Sequence, residues 1–387
     1  MKAGDRRCRQ HRINDFRMDN KTERLLSIDA LRGFDMFFII GGAAIISSLC
    51  AAFGCADGWI ASQMKHVKWA GLAHHDTIFP LFLFLAGVSW PFSLASQEAK
   101  GVSPWRICLR VLKRTAILFL LGLSFGGILE FKPDFRLMSV LGFIGTGWGF
   151  AALVFMKLRR SWMRIAVIGL LLSGYYALLT FCTSPGTFPG ADSYSREWNI
   201  ISYLDRLVYP EHILIKNGYE PESLFSVTQG AALALIGMCL GSLLKSENFS
   251  KAAKSAMLVM WTLFLLGVGA FFHLVLGDQV VKKLWTSSFI LYASAYSSLV
   301  LTLFYWIIDI KGFKGWAFPF MVIGVNSITI YLFMMLGVQR LLAAFLFGGF
   351  SKWLGDPWGP VAMNFGSLLT GWFFVYFLYR RKIFFKV

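Results

Sequence analysis

The chain has 387 residues, of which 56% are hydrophobic, 17% aromatic and only 15% charged, with a formal net charge of +17. A water-facing surface needs about 25% charged residues, so a soluble one- or two-domain enzyme and a disordered chain are both excluded. Apolar runs close to the roughly 20 residues that cross a bilayer's hydrocarbon core recur along the whole length. They predict an all-α, polytopic transmembrane helix bundle.

Residues 1–27 are polar and basic, with no apolar core of signal-peptide type, and read as a cytoplasmic tail before a membrane domain over 28–387. Ten spans are predicted, at 28–49, 77–97, 107–129, 137–156, 163–182, 223–244, 255–276, 285–308, 316–339 and 359–379. An even number puts both termini on one side. With that side cytoplasmic, 26 of the 38 Lys and Arg are inner and 11 are outer, the asymmetry by which basic loops set orientation. Topology and anionic lipid therefore account for most of the charge, and nucleic acid is not an expected partner. The six cysteines form no CxxC pair, so neither a zinc site nor a disulfide framework is indicated. Cys50 and Cys55 are near enough to pair at the outer surface, or serve as ordinary small apolar residues.

Two outer loops, 50–76 and 183–222, are too long to be mere connectors. The second sets Tyr194, Trp198, Tyr203, Tyr209 and Tyr219 beside Asp205, Glu211, Glu220 and Glu222. Such a mixture suits a sugar or amine ligand, and it suits a loop at the lipid headgroups equally well.

Charge inside a membrane is expensive and marks candidate sites. In the first span Asp29 and Arg32 stand three residues apart on one helix face. They serve either as a helix-end ion pair or, through Arg32, as a hold on an anionic ligand from the cytoplasm. The second cluster is Met64-Lys-His66-Val-Lys68-Trp69-Ala-Gly71-Leu-Ala-His74-His75-Asp76. It places His66, His74, His75 and Asp76 at the outer mouth of the second span. A histidine beside a carboxylate accepts and returns a proton near neutral pH, whereas adjacent His-His-Asp makes a poor chelate because neighbouring helical side chains diverge. The inner turn before the third span carries Arg106, Arg110, Lys113 and Arg114 on one face, which suits phosphates and equally anionic lipid. In the ninth span Asn326, Ser327 and Tyr331 offer hydrogen bonds to a ligand or to neighbouring helices. The glycines of Gly142-Phe-Ile-Gly145-Thr-Gly147-Trp-Gly149 follow no strand and read as close helix packing rather than a dinucleotide loop.

On these residues the sequence resembles the transmembrane heparan-α-glucosaminide N-acetyltransferase family and its bacterial relatives. The matching stretches run in family order from residue 24 to 387. They are Arg24-Leu-Leu-Ser-Ile-Asp29-Ala-Leu-Arg32-Gly33, Lys65-His66-Val-Lys-Trp69-Ala-Gly71-Leu72, Asp76-Thr-Ile-Phe79-Pro80, Glu220-Pro221-Glu222-Ser-Leu224, Lys283-Leu-Trp285-Thr-Ser-Ser, Gly324-Val-Asn326-Ser327-Ile-Thr-Ile-Tyr331 and Tyr379-Arg-Arg-Lys-Ile-Phe-Phe-Lys386. The resemblance implies a multi-pass enzyme, here of a bacterial inner membrane, that moves acetyl from cytosolic acetyl-CoA as co-substrate to an amino sugar or related glycan on the other side. It implies His66 as the catalytic histidine, before Trp-x-Gly-Leu, with Asp76 orienting it. It also implies Asp29, Arg32, Asn326 and Ser327 beside the CoA passage, and the inner basic residues Arg110 and Arg114 then suit the nucleotide's phosphates. Homo-oligomers are compatible with this reading, and no metal is expected. The family's Asn late in the first helix is replaced here by Gly41-Gly42-Ala43-Ala44, and its His-Glu after the Asn-Ser motif by Phe333-Met334-Met335. A small-solute or proton-coupled transporter is the competing reading, with Asp29, Arg32 and Asp76 on its path; its expected sign is an inverted repeat with interrupted helices.

Overall fold

The computed structural model describes residues 25–131, 133–188, 190–215 and 218–385. The basic tail expected over 1–27 falls, up to residue 24, outside them. The described chain is built from helices: α1 (Leu26–Ala52), α2 (Trp59–Gln63), α3 (His74–Ala99), α4 (Pro104–Phe125), α5 (Val140–Lys157), α6 (Ser161–Phe181), α7 (Ile200–Val208), α8 (Val227–Lys245), α9 (Lys251–Val275), α10 (Ser287–Ile310), α11 (Gly315–Val325), α12 (Ser327–Met335), α13 (Val338–Leu354) and α14 (Trp358–Arg380). Every backbone polar group must be satisfied within the bilayer, and helices do this within a single segment.

Eight of these helices are long and apolar enough to cross a membrane, and nine when the pair α11–α12, bent by 65° at Asn326, counts as one. Helix α4 spans 22 residues, about 33 Å, but Arg106, Arg110, Lys113 and Arg114 interrupt its first half. It lies antiparallel to α5, with Gly145 against Leu118 and Gly149 against Thr115, and its inclusion brings the number to ten. The chain is an integral, multi-pass membrane protein. Two spans differ from the sequence expectation. The ninth is broken at Asn326, and residues after 339, expected to form an outer loop, form α13, which packs as a hairpin on α14 through Phe347 against Gly366 and Ser351 against Gly359.

Helix α8 is the most enclosed, with 72% of its apolar window buried, against 17% for α6, so α6 lies at the lipid-facing rim. The centre is held by backbone contact between α3 and α8. A Cβ on Gly87 would stand 2.2 Å from the Ala234 carbonyl oxygen, and one on Gly241 2.2 Å from that of Val88. Small residues permit such approach, and in lipid this packing replaces the hydrophobic drive. Helices α1 and α11 meet in the same way, with Gly324 against the Asp29 carbonyl. That contact seats the Asn326 break beside the inner end of α1. The glycines of α5 pack as expected, Gly145 and Gly149 on α4 and Gly147 on Gly230 of α8.

Above the spans, the described residues between 183 and 226 fold into a cap around α7. Its Tyr194, Tyr209, Tyr219, Asp205 and Glu220 are buried and bond to one another and to the bundle. Asp205 accepts from the Tyr209 hydroxyl and from Ser223 Oγ at 2.8 Å. Arg136 pairs with both Glu220 and Glu222. The Tyr194 hydroxyl donates to Asp278 at 2.8 Å. Burial raises the Asp205 carboxyl to about 7, against the pull of its Tyr209 and Ser223 hydrogen bonds, and burial likewise raises Glu222, with Arg136 opposing.

Candidate active site

The outer loop before α3 is shaped by the helix it precedes. Asp76, in the first turn of α3, accepts the Ala73 amide at 3.2 Å and the Val67 amide at 3.3 Å through Oδ2. This arrangement satisfies donors at a helix start and sets negative charge at the positive end of the dipole. Its other oxygen, Oδ1, lies 2.7 Å from His66 Nδ1. Asp76 is 1% exposed and the His66 side chain 51%. A buried carboxylate on Nδ1 fixes the tautomer and orients the ring, leaving Nε2 as the nitrogen available to a substrate. The structure therefore brings the two predicted residues together as a dyad.

Several groups lock this loop in place. Trp69 Nε1 donates to the Tyr194 carbonyl at 2.8 Å, the Gly71 amide to Val280 at 2.8 Å, and Lys283 Nζ to the Lys68 carbonyl at 2.7 Å. The His75 ring packs on His66 with centroids 4.4 Å apart. His74 turns inward instead, its Nδ1 2.9 Å from the Tyr296 hydroxyl.

The inner half of the bundle holds a second cluster. Arg32 bonds Asp29 through Nη1 at 3.3 Å and Ser89 through Nη2 at 2.7 Å. Arg114 lies within electrostatic reach of Arg32 and sits 4.2 Å from the centre of the Trp148 ring. Trp148 in turn packs edge-on to Trp90 at 5.2 Å. Arg114 Nε, Trp148 Nε1 and Trp90 Nε1 are all buried with no hydrogen-bond partner among the described residues. All three are donors, so the cluster is complementary to an anion with several oxygens. The predicted basic face of α4 is divided: Arg114 turns into this cluster, whereas Arg110 is exposed and bonds Gln97 at 2.8 Å. Asn326 and Ser327 mark the helix break. Asn326 Nδ2 donates to the Ile383 carbonyl at 3.1 Å, so this side chain secures the segment after α14.

Sequence reasoning missed Lys282, whose Nζ is 3.1 Å from His66 Nδ1 and 3.5 Å from Asp76 Oδ1. Adjacent lysines on the side poor in basic residues were the available signal. It also missed Ser89, Trp90, Trp148 and Tyr296, which read as ordinary span residues. Asp35, two residues beyond the quoted first-span stretch, was passed over; it is 1% exposed, and neither carboxyl oxygen has a hydrogen-bond partner among the described residues.

No protein-family model matches the chain. Two curated proteins are similar over nearly all of it. Heparan-alpha-glucosaminide N-acetyltransferase of Homo sapiens is 24% identical, covering 96% of this chain and 61% of its own length. The Mus musculus protein of the same name is 23% identical, covering 94% and 61%. The chain thus spans about three fifths of the length of these relatives. Across that shared length, this membrane protein is related to the heparan-alpha-glucosaminide N-acetyltransferases.

Proposed function

We propose that the chain is a transmembrane acetyltransferase that takes acetyl from acetyl-CoA on the cytoplasmic side and transfers it to an amino sugar or related glycan at the outer face of a bacterial inner membrane. The observation that carries this reading is the His66–Asp76 dyad, with one ring nitrogen committed to a buried carboxylate and the other on a half-exposed side chain. The inner donor cluster supports it. Arg32, Arg114, Trp90 and Trp148 suit the phosphates of a nucleotide, which lipid excludes. Ser89 and Asp76 lie 13 residues apart on α3, about 20 Å along the axis, so the donor's thioester arm has to run up the bundle between the two sites.

In the transfer, the acceptor nitrogen attacks the thioester carbonyl carbon, the C–S bond breaks, and the departing thiolate receives a proton. His66 Nε2 accepts the proton that the acceptor nitrogen loses, while Nδ1–H stays on Asp76, whose charge supports the imidazolium. His66 Nε2 is equally placed to attack the thioester itself and carry the acetyl group as an acetyl-imidazole. Rapid quenching with radiolabelled acetyl-CoA and no acceptor separates the routes, because only the second leaves label on His66.

The 65° break at Asn326 is the one observation that favours a transporter. No matching broken pair exists elsewhere among the described residues, and the Asn326 side chain is engaged by the chain's own Ile383. Uptake of a solute into proteoliposomes without consumption of acetyl-CoA is the result that establishes the transporter instead.

A further inference from the structure

We propose that Lys282 is a positioning residue for His66: its ammonium, set against the His66–Asp76 contact, keeps the imidazole uncharged and therefore able to accept a proton. The inference deepens the acetyl-transfer reading and rests on it for its consequence, while the state of His66 is measurable without any transfer.

The geometry is a three-way contact. Asp76 Oδ1 is 2.7 Å from His66 Nδ1 and 3.5 Å from Lys282 Nζ, and Nζ is 3.1 Å from that same Nδ1. In the tautomer that leaves Nε2 free to accept a proton, Nδ1–H donates to Asp76, and the Lys282 ammonium meets that same carboxylate rather than the ring nitrogen. That singly protonated ring fits. The imidazolium does not fit equally well, because it sets a second positive charge 3.1 Å from the ammonium, and one carboxylate has to serve both.

Lys282 is held at this place. It stands in the short turn Lys282–Leu284, which follows Val280, tied to Gly71, and precedes Trp285, buried among Phe79, Phe143 and Phe289. The side chain is 16% exposed. Burial pulls its ammonium below the ordinary lysine value, while Asp76 and Glu222 hold it up.

The other charged or titratable groups around His66 are Asp76, His75 and His74 from α3, Lys65 and Lys68 from its own loop, and Lys283, whose ammonium is drawn to the Lys68 carbonyl. Arg196 of the cap also bonds that carbonyl, at 3.0 Å, and Glu222 acts through Lys282. Of these cations, Lys282 is the one whose ammonium comes within 3.1 Å of the ring.

The test is diethylpyrocarbonate modification of His66, which requires the uncharged imidazole, followed by peptide mass spectrometry across pH in wild type, Lys282→Met and Lys282→Arg. Loss of the cation makes protonation of the ring easier. Lys282→Met therefore moves the half-point of His66 modification to higher pH by about one unit, the lower end expected for a charge at this distance on a half-exposed group. Lys282→Arg restores the wild-type half-point, and His212, whose Nδ1 lies 2.8 Å from the Phe135 carbonyl rather than against Lys282, serves as the control. Lys282→Gln gives the same readout where the methionine variant fails to fold. Superimposable curves for wild type and a folded neutral variant overturn the proposal, as does a shift that arginine does not reverse. The acid limb of kcat/KM for acetyl transfer moves with the modification curve. Absence of any transfer defeats the proposed function and leaves the modification result standing on its own.

Discussion

Arg114→Met should strengthen the unliganded protein and weaken its grip on acetyl-CoA. The guanidinium lies in the inner half of the bundle, its Nε is buried with no hydrogen-bond partner among the described residues, and its neighbour in charge is another arginine, Arg32. A charged side chain at membrane depth costs about 2.5–3.5 kcal/mol. The Trp148 ring, 4.2 Å away, returns about 0.5–2 kcal/mol as a cation–π contact. Methionine of similar volume removes both effects, so the unliganded fold gains about 0.5–3 kcal/mol. Binding moves the other way. Loss of one charge-assisted hydrogen bond costs about 1.5–3 kcal/mol, an increase of roughly 10- to 150-fold in Kd for acetyl-CoA. Unfolding in detergent micelles and isothermal titration with acetyl-CoA read the two effects separately. A variant that is destabilised and binds with unchanged Kd refutes the reasoning, because Arg114 is then a packing residue.

Asp76→Asn removes the carboxylate shared by His66, Lys282 and two amides; acetyl transfer should fall about 10²- to 10⁴-fold, as for loss of general-base support, with about 1 kcal/mol of stability lost from the start of α3, read by steady-state rates and thermal unfolding. Gly87→Ala drives a Cβ to 2.2 Å from the Ala234 carbonyl and should destabilise the bundle by about 1–3 kcal/mol in the same unfolding assay. Asp205 gives the cap a pH dependence: its carboxyl is raised by burial to about 7, so its contribution, up to about 4 kcal/mol, is full below the ordinary aspartate value and lost as pH rises through about 7. Hydrogen exchange of the Leu224 amide, corrected for intrinsic rates, should therefore speed up from pH 5.5 to 8 in wild type, and Asp205→Asn should flatten that dependence.

Periodic apolar runs made the span architecture legible in the sequence, since crossing a bilayer demands length and composition above all. The break at Asn326 was not legible, because α11 and α12 are both apolar and the close approach of Gly324 to α1 beside it is made only on folding. Nor was α13, which reads as a loop between two spans until α14 supplies the face it packs on. His66 and Asp76 were found because charge and histidine at the mouth of a span are conspicuous. Lys282 is 216 positions from His66, and no local pattern announces a contact made by folding. Arg114 and Arg110 looked equivalent on their helix, and only the neighbouring α3 and α5 distinguish the half-buried Arg114 from the exposed Arg110.

The cap's aromatics and carboxylates suited a ligand and a headgroup loop equally well by sequence; in the fold Tyr194, Tyr209, Asp205 and Glu220 are spent on one another and on the bundle. Buried polar groups are costly unless paired, and the loop folds by pairing them. What the cap gives the site is rigidity, through Trp69 on the Tyr194 carbonyl and Arg196 on Lys68.

The central claim is acetyl transfer through His66. Its most direct test is to supply acetyl-CoA and glucosamine to purified protein in liposomes and to measure acetylated sugar and free CoA together, for wild type and for His66→Ala. The account predicts equal amounts of the two products from wild type and neither from a folded His66→Ala. Full turnover by His66→Ala, or a wild type that leaves acetyl-CoA intact, contradicts it.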